Sequence, residues 1–278
     1  MRIEHKHEFE VDAGTLRYLD TGPGPTATVV FVHGNPASSV EFGPAIELLS
    51  STHRCIAVDH LGFGDSTKPV DWDYLPKSHA ANLALLLDHL DLRNVTLVAG
   101  DWGGPIGLSW AIDNPDRVTA LVITNTWLWP VNRSLYYQGF SKAMGGPLGR
   151  HLIRNHNLFA TQVVKRAWGT RTPLTAEIHS LFTSVHTQKD ERKGMWVFPK
   201  EIIGSTPWLH ELWDQRAALR QMKMTLLWGM KDIAFRPDVL DRWLTEFPGA
   251  DVIRLEDVGH FVALEATTEL TDAIARAA

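Results

Sequence analysis

The chain has 278 residues, of which 44% are hydrophobic and 21% are charged, and its formal net charge at pH 7 is -5. This length suits one large α/β domain or a domain with an insertion, and the acidic balance argues against nucleic acid as a partner. No apolar run approaches the ~18 residues of a membrane span, residues 1–7 lack the apolar core of a signal peptide, and the single cysteine, Cys55, fits a reducing cytoplasm. We therefore expect a cytoplasmic protein without a membrane partner.

Short β-rich runs alternate with helical patterns along most of the chain. The strand candidates are Phe9–Val11, Thr15–Leu19, Thr28–Val32, Arg54–Val58, Val95–Ala99, Ala120–Thr124, Met224–Trp228 and Val252–Leu255. The middle runs are apolar on both faces, as in strands buried in a parallel sheet, and helical stretches such as Lys77–Leu90 separate them. This alternation predicts βαβ units in a mostly parallel eight-stranded sheet, with an antiparallel hairpin from the first two runs.

The alternation stops between Trp129 and Trp213, where helical patterns such as Ala160–Trp168 and Leu209–Ala218 occur without a convincing strand. Residues 130–213 carry 11 Lys and Arg against five Asp and Glu, a balance of +6 in an otherwise acidic chain. We predict a helical cap at 130–213, inserted between two parts of an α/β core at 1–129 and 214–278. A basic cap could attract anions, but a solvated face or a self-association surface is the more common meaning of such a balance.

The stretch Gly100-Asp101-Trp102-Gly103-Gly104 follows a buried-type strand and precedes a helical pattern at Pro105–Ile112. This is the setting of the "nucleophile elbow", with aspartate in the usual place of serine. A carboxylate is ionised at neutral pH and can displace a leaving group from a saturated carbon, which gives an ester. Asp101 is therefore the candidate nucleophile, although an Asp in isolation is more often a turn residue.

The loop His33-Gly34-Asn35-Pro36 follows the third strand, where this plan provides one backbone N–H of an oxyanion hole, and Trp102 provides the other. The side chains of Asn35 and Trp102 add two neutral N–H donors, which suit a departing halide in a pocket with little water. Turn formation by Asn35 and core packing by Trp102 are the ordinary alternatives. We expect His33 to hold the loop.

The segments Val258-Gly259-His260-Phe261 and Trp228-Gly229-Met230-Lys231-Asp232 follow the last two strands. A histidine in the late loop is where the fold places the base that activates water, and Asp232 could fix its tautomer. The competing acid position, after the sixth strand, is Asn125, which cannot replace the charge. The predicted order is nucleophile Asp101, acid Asp232 and base His260, with no metal and no cofactor.

These motifs, together with Asp59-His60-Leu61-Gly62-Phe63-Gly64-Asp65-Ser66 and Asn125-Thr126-Trp127, make the chain similar to the haloalkane dehalogenase family of α/β-hydrolases nearly end to end. The resemblance implies hydrolysis of a small neutral halogenated substrate with water to alcohol, halide and proton. It implies a subgroup with an Asp-His-Asp triad and Asn/Trp halide donors. Members of that subgroup self-associate, so the resemblance also allows a homo-oligomer here. Some members take a halide donor from a cap tryptophan, so Trp168 is a candidate for the pocket wall.

Three other functions compete. An epoxide hydrolase shares the Asp nucleophile but needs acidic donors, and Tyr136 and Tyr137, adjacent on a helix, point about 100° apart and are poorly placed to hold one oxygen. A dehalogenase of fluoroacetate type would require an Arg where Trp102 stands. A catalytically idle binding scaffold would leave an intact triad unused.

Overall fold

An eight-stranded sheet forms the centre of the fold, with the strand order β1-β2-β4-β3-β5-β6-β7-β8. In this computed structural model, which describes residues 7–24 and 27–277, the first two pairings are antiparallel and the other five are parallel. The strands are β1 (His7–Val11), β2 (Gly14–Asp20), β3 (Thr28–Val32), β4 (Arg54–Asp59), β5 (Val95–Gly100), β6 (Val118–Thr124), β7 (Lys223–Gly229) and β8 (Asp251–Leu255). The predicted α/β-hydrolase sheet and its antiparallel hairpin are confirmed.

The central strands are buried because helices cover both faces of the sheet, and their side chains divide between two apolar clusters. In β5, for example, Leu97 belongs to the larger cluster and Val98 to the smaller one. Both side chains are fully buried. This explains why these strands are apolar without alternation, as expected for a parallel sheet covered on both sides.

Among the described residues, twelve α-helices surround the sheet or lie in the connection between β6 and β7. They are α1 (Gly43–Leu49), α2 (Pro76–His89), α3 (Gly103–Asp113), α4 (Leu135–Gly145), α5 (Pro147–His156), α6 (Val164–Ala167), α7 (Ala176–Thr183), α8 (Lys193–Gly204), α9 (Thr206–Asp214), α10 (Pro237–Glu246), α11 (Val262–Glu265) and α12 (Thr267–Ala277). None of the described helices is both long and apolar enough to cross a bilayer. Residues 1–6, which carry most of the signal-peptide argument, lie outside the described residues.

The described connection between β6 and β7 contains helices, from α4 to α9, and no strand, as the predicted fold class requires. Its helices differ from the predicted ones. The stretch predicted as one helix at Ala160–Trp168 is a π-helical turn at Phe159–Val163 followed by the short α6, and Trp168 itself is extended. In place of the second predicted helix, at Leu209–Ala218, α9 ends at Asp214 and a 3₁₀-helix follows at Arg216–Gln221. The domain bounds 130–213 remain our proposal.

Candidate active site

Asp101 lies in the sharp turn between β5 and α3, with a backbone φ of +47°. This left-handed conformation is uncommon for a residue other than glycine, and such strain costs of order 1 kcal/mol or more. The turn also requires small neighbours. An added Cβ at Gly103 would lie 2.0 Å from the Val32 carbonyl oxygen, and one at Gly104 would lie 1.9 Å from Thr126 Oγ1. The glycines of the motif thus let helix α3 approach the sheet while the turn presents the Asp101 side chain.

The Asp101 carboxylate has two different oxygen environments. Its Oδ1 accepts a hydrogen bond of 2.8 Å from the backbone N–H of Asn35, and an added Cβ at Gly34 would lie 2.4 Å from the same oxygen. Its Oδ2 lies 3.8 Å from His260 Nε2, which is too long for a hydrogen bond. Burial raises the pKa of Asp101 above its ordinary value, against the opposing effects of His260 and of the backbone N–H groups of Asn35 and Trp102.

His260 and Asp232 form a close pair beside Asp101. The distance from His260 Nδ1 to Asp232 Oδ2 is 2.8 Å, and Asp232 is 3% exposed. Burial alone would lower the pKa of His260, but the negative charge and the hydrogen bond of Asp232, together with the negative charge of Asp101, outweigh it and raise that pKa to about 9. The imidazole is therefore oriented with Nε2 toward Asp101, and its protonated form is stabilised.

Asn125 has a role that sequence reasoning missed. Its Nδ2 donates to Asp232 Oδ2 at 2.9 Å and to the Gly229 carbonyl at 3.0 Å, while its Oδ1 accepts from the Gly229 N–H at 2.7 Å. The backbone N–H of Ala234 donates to the other oxygen of Asp232 at 2.6 Å. Asn125 therefore does not replace the acid; it holds the acid in place. The signal was present, because Asn125 directly follows β6 and Asp232 follows β7, the neighbouring strand.

An apolar cavity lies against Asp101. The centre of a water-sized sphere can move within about 80 Å³ of this cavity. Asn35, Trp102, Asp101 and His260 form its polar end. The insertion forms most of the remaining wall, with Tyr136, Tyr137, Phe140, Phe159, Val163, Val164, Ala167, Pro199 and Ile202. All five predicted site residues thus lie together at the carboxyl ends of the strands.

Asn35 and Trp102 bring N–H groups to this cavity that have no strong acceptor. The Asn35 amide nitrogen lies 3.5 Å from the Met195 carbonyl, at the outer limit of a hydrogen bond, and the Trp102 indole N–H has no hydrogen bond to any described residue. Trp102 is 2% exposed, so water cannot easily satisfy this group. Both donors are therefore available to an acceptor inside the cavity.

One expectation about the cavity wall was wrong. Trp168 does not line the cavity, because its indole N–H donates to the Thr172 carbonyl at 2.8 Å and its ring stacks on Phe261. Tyr136 and Tyr137 both line it. Their hydroxyl groups already donate to the backbone carbonyls of Ile233 and Ala234, respectively.

A model of the alpha/beta hydrolase fold family matches residues 27–267. Haloalkane dehalogenase 2 of Mycobacterium tuberculosis strain H37Rv is 33% identical over 268 residues, which are 96% of this chain and 92% of that protein. The chain belongs to the haloalkane dehalogenase family of α/β-hydrolases. A relative in Shewanella oneidensis, named cis-3-alkyl-4-alkyloxetan-2-one decarboxylase, is 30% identical over 279 residues and matches 95% of this chain and 85% of its own. The crystal structure of the haloalkane dehalogenase DatA from Agrobacterium tumefaciens C58 superposes with a TM-score of 0.84 at 25% identity, over 98% of this chain and 96% of DatA.

This haloalkane dehalogenase family member is thus an enzyme of the hydrolase class, and the sequence resemblance is confirmed.

Two buried carboxylates near the site were not found from the sequence. Glu265 accepts backbone N–H groups of Gly169, Gly259 and Phe261 at 2.7, 3.0 and 3.2 Å. Glu41 lies beside Asp101 and His260 and has no hydrogen bond from its carboxyl to a described residue. A single sequence gives no signal for either, since Glu is common on helix surfaces.

Proposed function

We propose that the chain hydrolyses neutral haloalkanes to alcohol, halide and proton through a covalent ester on Asp101. The observation that carries the proposal is a carboxylate at the polar end of an apolar cavity, beside two neutral N–H donors without strong partners. An apolar wall suits an uncharged alkyl group. A donor set without Lys or Arg stabilises a halide without pairing permanently with Asp101.

In the first step, Asp101 Oδ2 attacks the carbon that bears the halogen, and the carbon–halogen bond breaks with its electron pair on the halide. The attacking oxygen has no hydrogen bond to His260, because 3.8 Å separates it from Nε2, so its lone pairs are available. Asn35 Nδ2 and Trp102 Nε1 donate to the departing halide. An anion without such donors in this water-poor cavity would cost several kcal/mol.

In the second step, water attacks Cγ of the ester and His260 Nε2 accepts its proton. Alkylation removes the negative charge of Asp101, one of the charges that raise the pKa of His260 to about 9, so the imidazole becomes a better base for this step. Asp232 keeps the imidazolium stable until it returns the proton to the alkoxide, which leaves as the alcohol when the Cγ–Oδ2 bond breaks. The oxyanion forms on Oδ1, which already accepts from the Asn35 N–H, and a donor of this kind is worth on the order of 3 kcal/mol.

The epoxide hydrolase alternative is weakened by the tyrosines. A hydroxyl that donates to a backbone carbonyl must break that bond before it can protonate an epoxide oxygen, and this applies to both Tyr136 and Tyr137.

Relatives named as oxetanone decarboxylases support a second candidate reaction, in which a four-membered lactone loses carbon dioxide to give an alkene.

The test is bromide release from a bromoalkane by the purified protein, with an epoxide and a 3,4-dialkyl-oxetan-2-one as parallel substrates. We expect bromide above background and slower turnover of the other two. Diol or alkene as the dominant product would overturn the proposal. In the variant His260→Ala, the alkylated Asp101 should accumulate as a mass increase equal to the alkyl group, and an unmodified mass would contradict the two-step scheme.

A further inference from the structure

Glu41 lies directly behind the site, on a short 3₁₀-helix at Ser39–Phe42 that follows the loop of Asn35. It is 9% exposed, and its carboxyl receives no hydrogen bond from a described residue. Glutamate is almost never buried without a partner, because an unsatisfied carboxyl costs several kcal/mol. The two-step mechanism above does not use this group.

The Glu41 side chain lines a second cavity, which lies against Gly34, Asn35, Asp101 and His260. About 20 Å³ of this cavity is open to the centre of a water-sized sphere, which is room for about one water molecule. Asn35, Asp101 and His260 line the large apolar cavity as well. The reacting groups thus stand between an apolar space that suits an alkyl chain and a small space that suits one water.

The charges around Glu41 favour its neutral form. Burial raises the pKa of Glu41 to about 8; the positive charge of His260 lowers it and the negative charge of Asp101 raises it further. At neutral pH the group is then mainly a carboxylic acid, with one O–H donor and one carbonyl acceptor. Such a group can hold a water molecule without adding a second negative charge beside Asp101.

We propose that Glu41 holds the water that attacks the Asp101 ester, in the small cavity that Glu41 and Asp101 both line. The inference rests on the proposed function. The water needs an acceptor for each hydrogen: His260 Nε2 takes one as a proton, since Nδ1 is bound to Asp232, and the Glu41 carbonyl oxygen accepts the other as a hydrogen bond. The water oxygen then bonds to Cγ of Asp101, the Cγ–Oδ2 bond breaks, and the proton on His260 Nε2 passes to the departing alkoxide to give the alcohol. The Asp101 carboxylic acid that remains releases its proton to solvent, and Glu41 neither gains nor loses a proton.

The experiment separates the two steps in single-turnover kinetics with a bromoalkane, with bromide reporting alkylation and the decay of the alkyl-enzyme mass reporting hydrolysis. In Glu41→Leu we expect alkylation within about twofold of wild type and hydrolysis slower on the order of 10- to 100-fold, because a misplaced nucleophile costs this much. Glu41→Gln keeps an acceptor oxygen and should restore most of the hydrolysis rate. Glu47→Leu, the same substitution at an exposed site on α1, should alter neither step.

Hydrolysis at the wild-type rate in Glu41→Leu, or equal slowing of both steps, would overturn the inference. Where that variant does not fold, Glu41→Ala is held to the same criterion, because it removes the carboxyl without filling the cavity. Absence of bromide from the wild-type protein would overturn the proposed function instead, so the two failures remain distinguishable.

Discussion

The strand-end loops and the helical insertion contribute opposite properties to one cavity. The loops after β3, β5, β7 and β8 bring Asn35, Asp101, Asp232 and His260, each fixed by backbone or side-chain hydrogen bonds. The insertion contributes mainly apolar side chains, such as Phe140 and Ile202, and two tyrosines whose hydroxyl groups are already bonded. The positions of the reactive groups therefore depend on backbone geometry, whereas the shape of the alkyl cavity depends on helix packing.

The largest effect should come from the strand-end loops. Asp101→Ala removes the nucleophile and leaves the wall of the cavity intact. We expect bromide release to fall by about 10³-fold or more, as for other nucleophiles of this kind. Steady-state bromide release measures it, with circular dichroism as the control for folding. Residual activity within tenfold of wild type would mean that another group performs the attack.

Asn125→Gly tests whether the support of the acid matters as much as the acid itself. Glycine tolerates the positive φ of 32° at this position, so the change removes the side-chain hydrogen bonds to Asp232 and to the Gly229 backbone without straining the chain. A hydrogen bond to a charged group is worth about 1.5–3 kcal/mol, which corresponds to roughly 10- to 100-fold in rate. We expect the alkyl-enzyme to decay more slowly by that factor. Unchanged decay would show that His260 and Ala234 suffice to hold Asp232.

The boundary between core and insertion should be sensitive to acid. His60, His79 and His186 are buried there, each with at least one ring nitrogen that has no hydrogen-bond partner among the described residues, and burial lowers the pKa of each, that of His186 to about 4. The unfolded chain binds protons near pH 6.5 and the folded chain does not, so stability is present above pH 6.5 and is lost as pH falls toward 4. For His186 this loss amounts to about 3 kcal/mol.

The urea midpoint should therefore fall between pH 7.5 and pH 5 more steeply in the wild type than in His79→Phe. That variant removes one titrating ring from the boundary while keeping an aromatic side chain there. Parallel pH profiles for the two proteins would show that His79 does not contribute to the acid sensitivity.

The smallest effect should come from the wall of the insertion. Phe140→Ala widens the alkyl cavity, and the lost contact with a short bromoalkane should raise KM several-fold, since small apolar contacts are worth about 1–3 kcal/mol. Single-turnover hydrolysis of the ester should change less than twofold. A hydrolysis rate that falls by the same factor as KM rises would show that the insertion also affects the reacting groups held by the loops.

The sheet was predictable because burial on both faces leaves a strong local signal. Each of the eight strand predictions lies within an observed strand or coincides with it, and the differences at the ends are at most two residues. The helical insertion was predictable as a class but not in detail. The bends at Phe159–Val163 and after Asp214 arise from packing against other helices, which a local pattern does not contain.

The predicted site residues converge because each follows a strand, and strand order brings their loops to one edge. What could not be predicted depends on contacts between distant segments. Asn125 meets Asp232 across 107 positions of sequence, and the tyrosine hydroxyl groups reach carbonyls 97 positions away. The cytoplasmic location, the homo-oligomer and the meaning of the basic balance in residues 130–213 stay predictions.

Glu265 has a consequence for any attempt to exchange the insertion between relatives. One buried carboxylate accepts from Gly169, which belongs to the insertion, and from Gly259 and Phe261, which flank the histidine. The His260 N–H also donates to the Ala167 carbonyl at 2.8 Å. A graft that ends before Ala167 would leave this joint untouched, whereas one that replaces residues 167–169 would move the base together with the wall. The insertion is therefore attached to the core near its middle as well as at its ends. A chimera must keep the contacts that residues 167–169 make with the histidine loop.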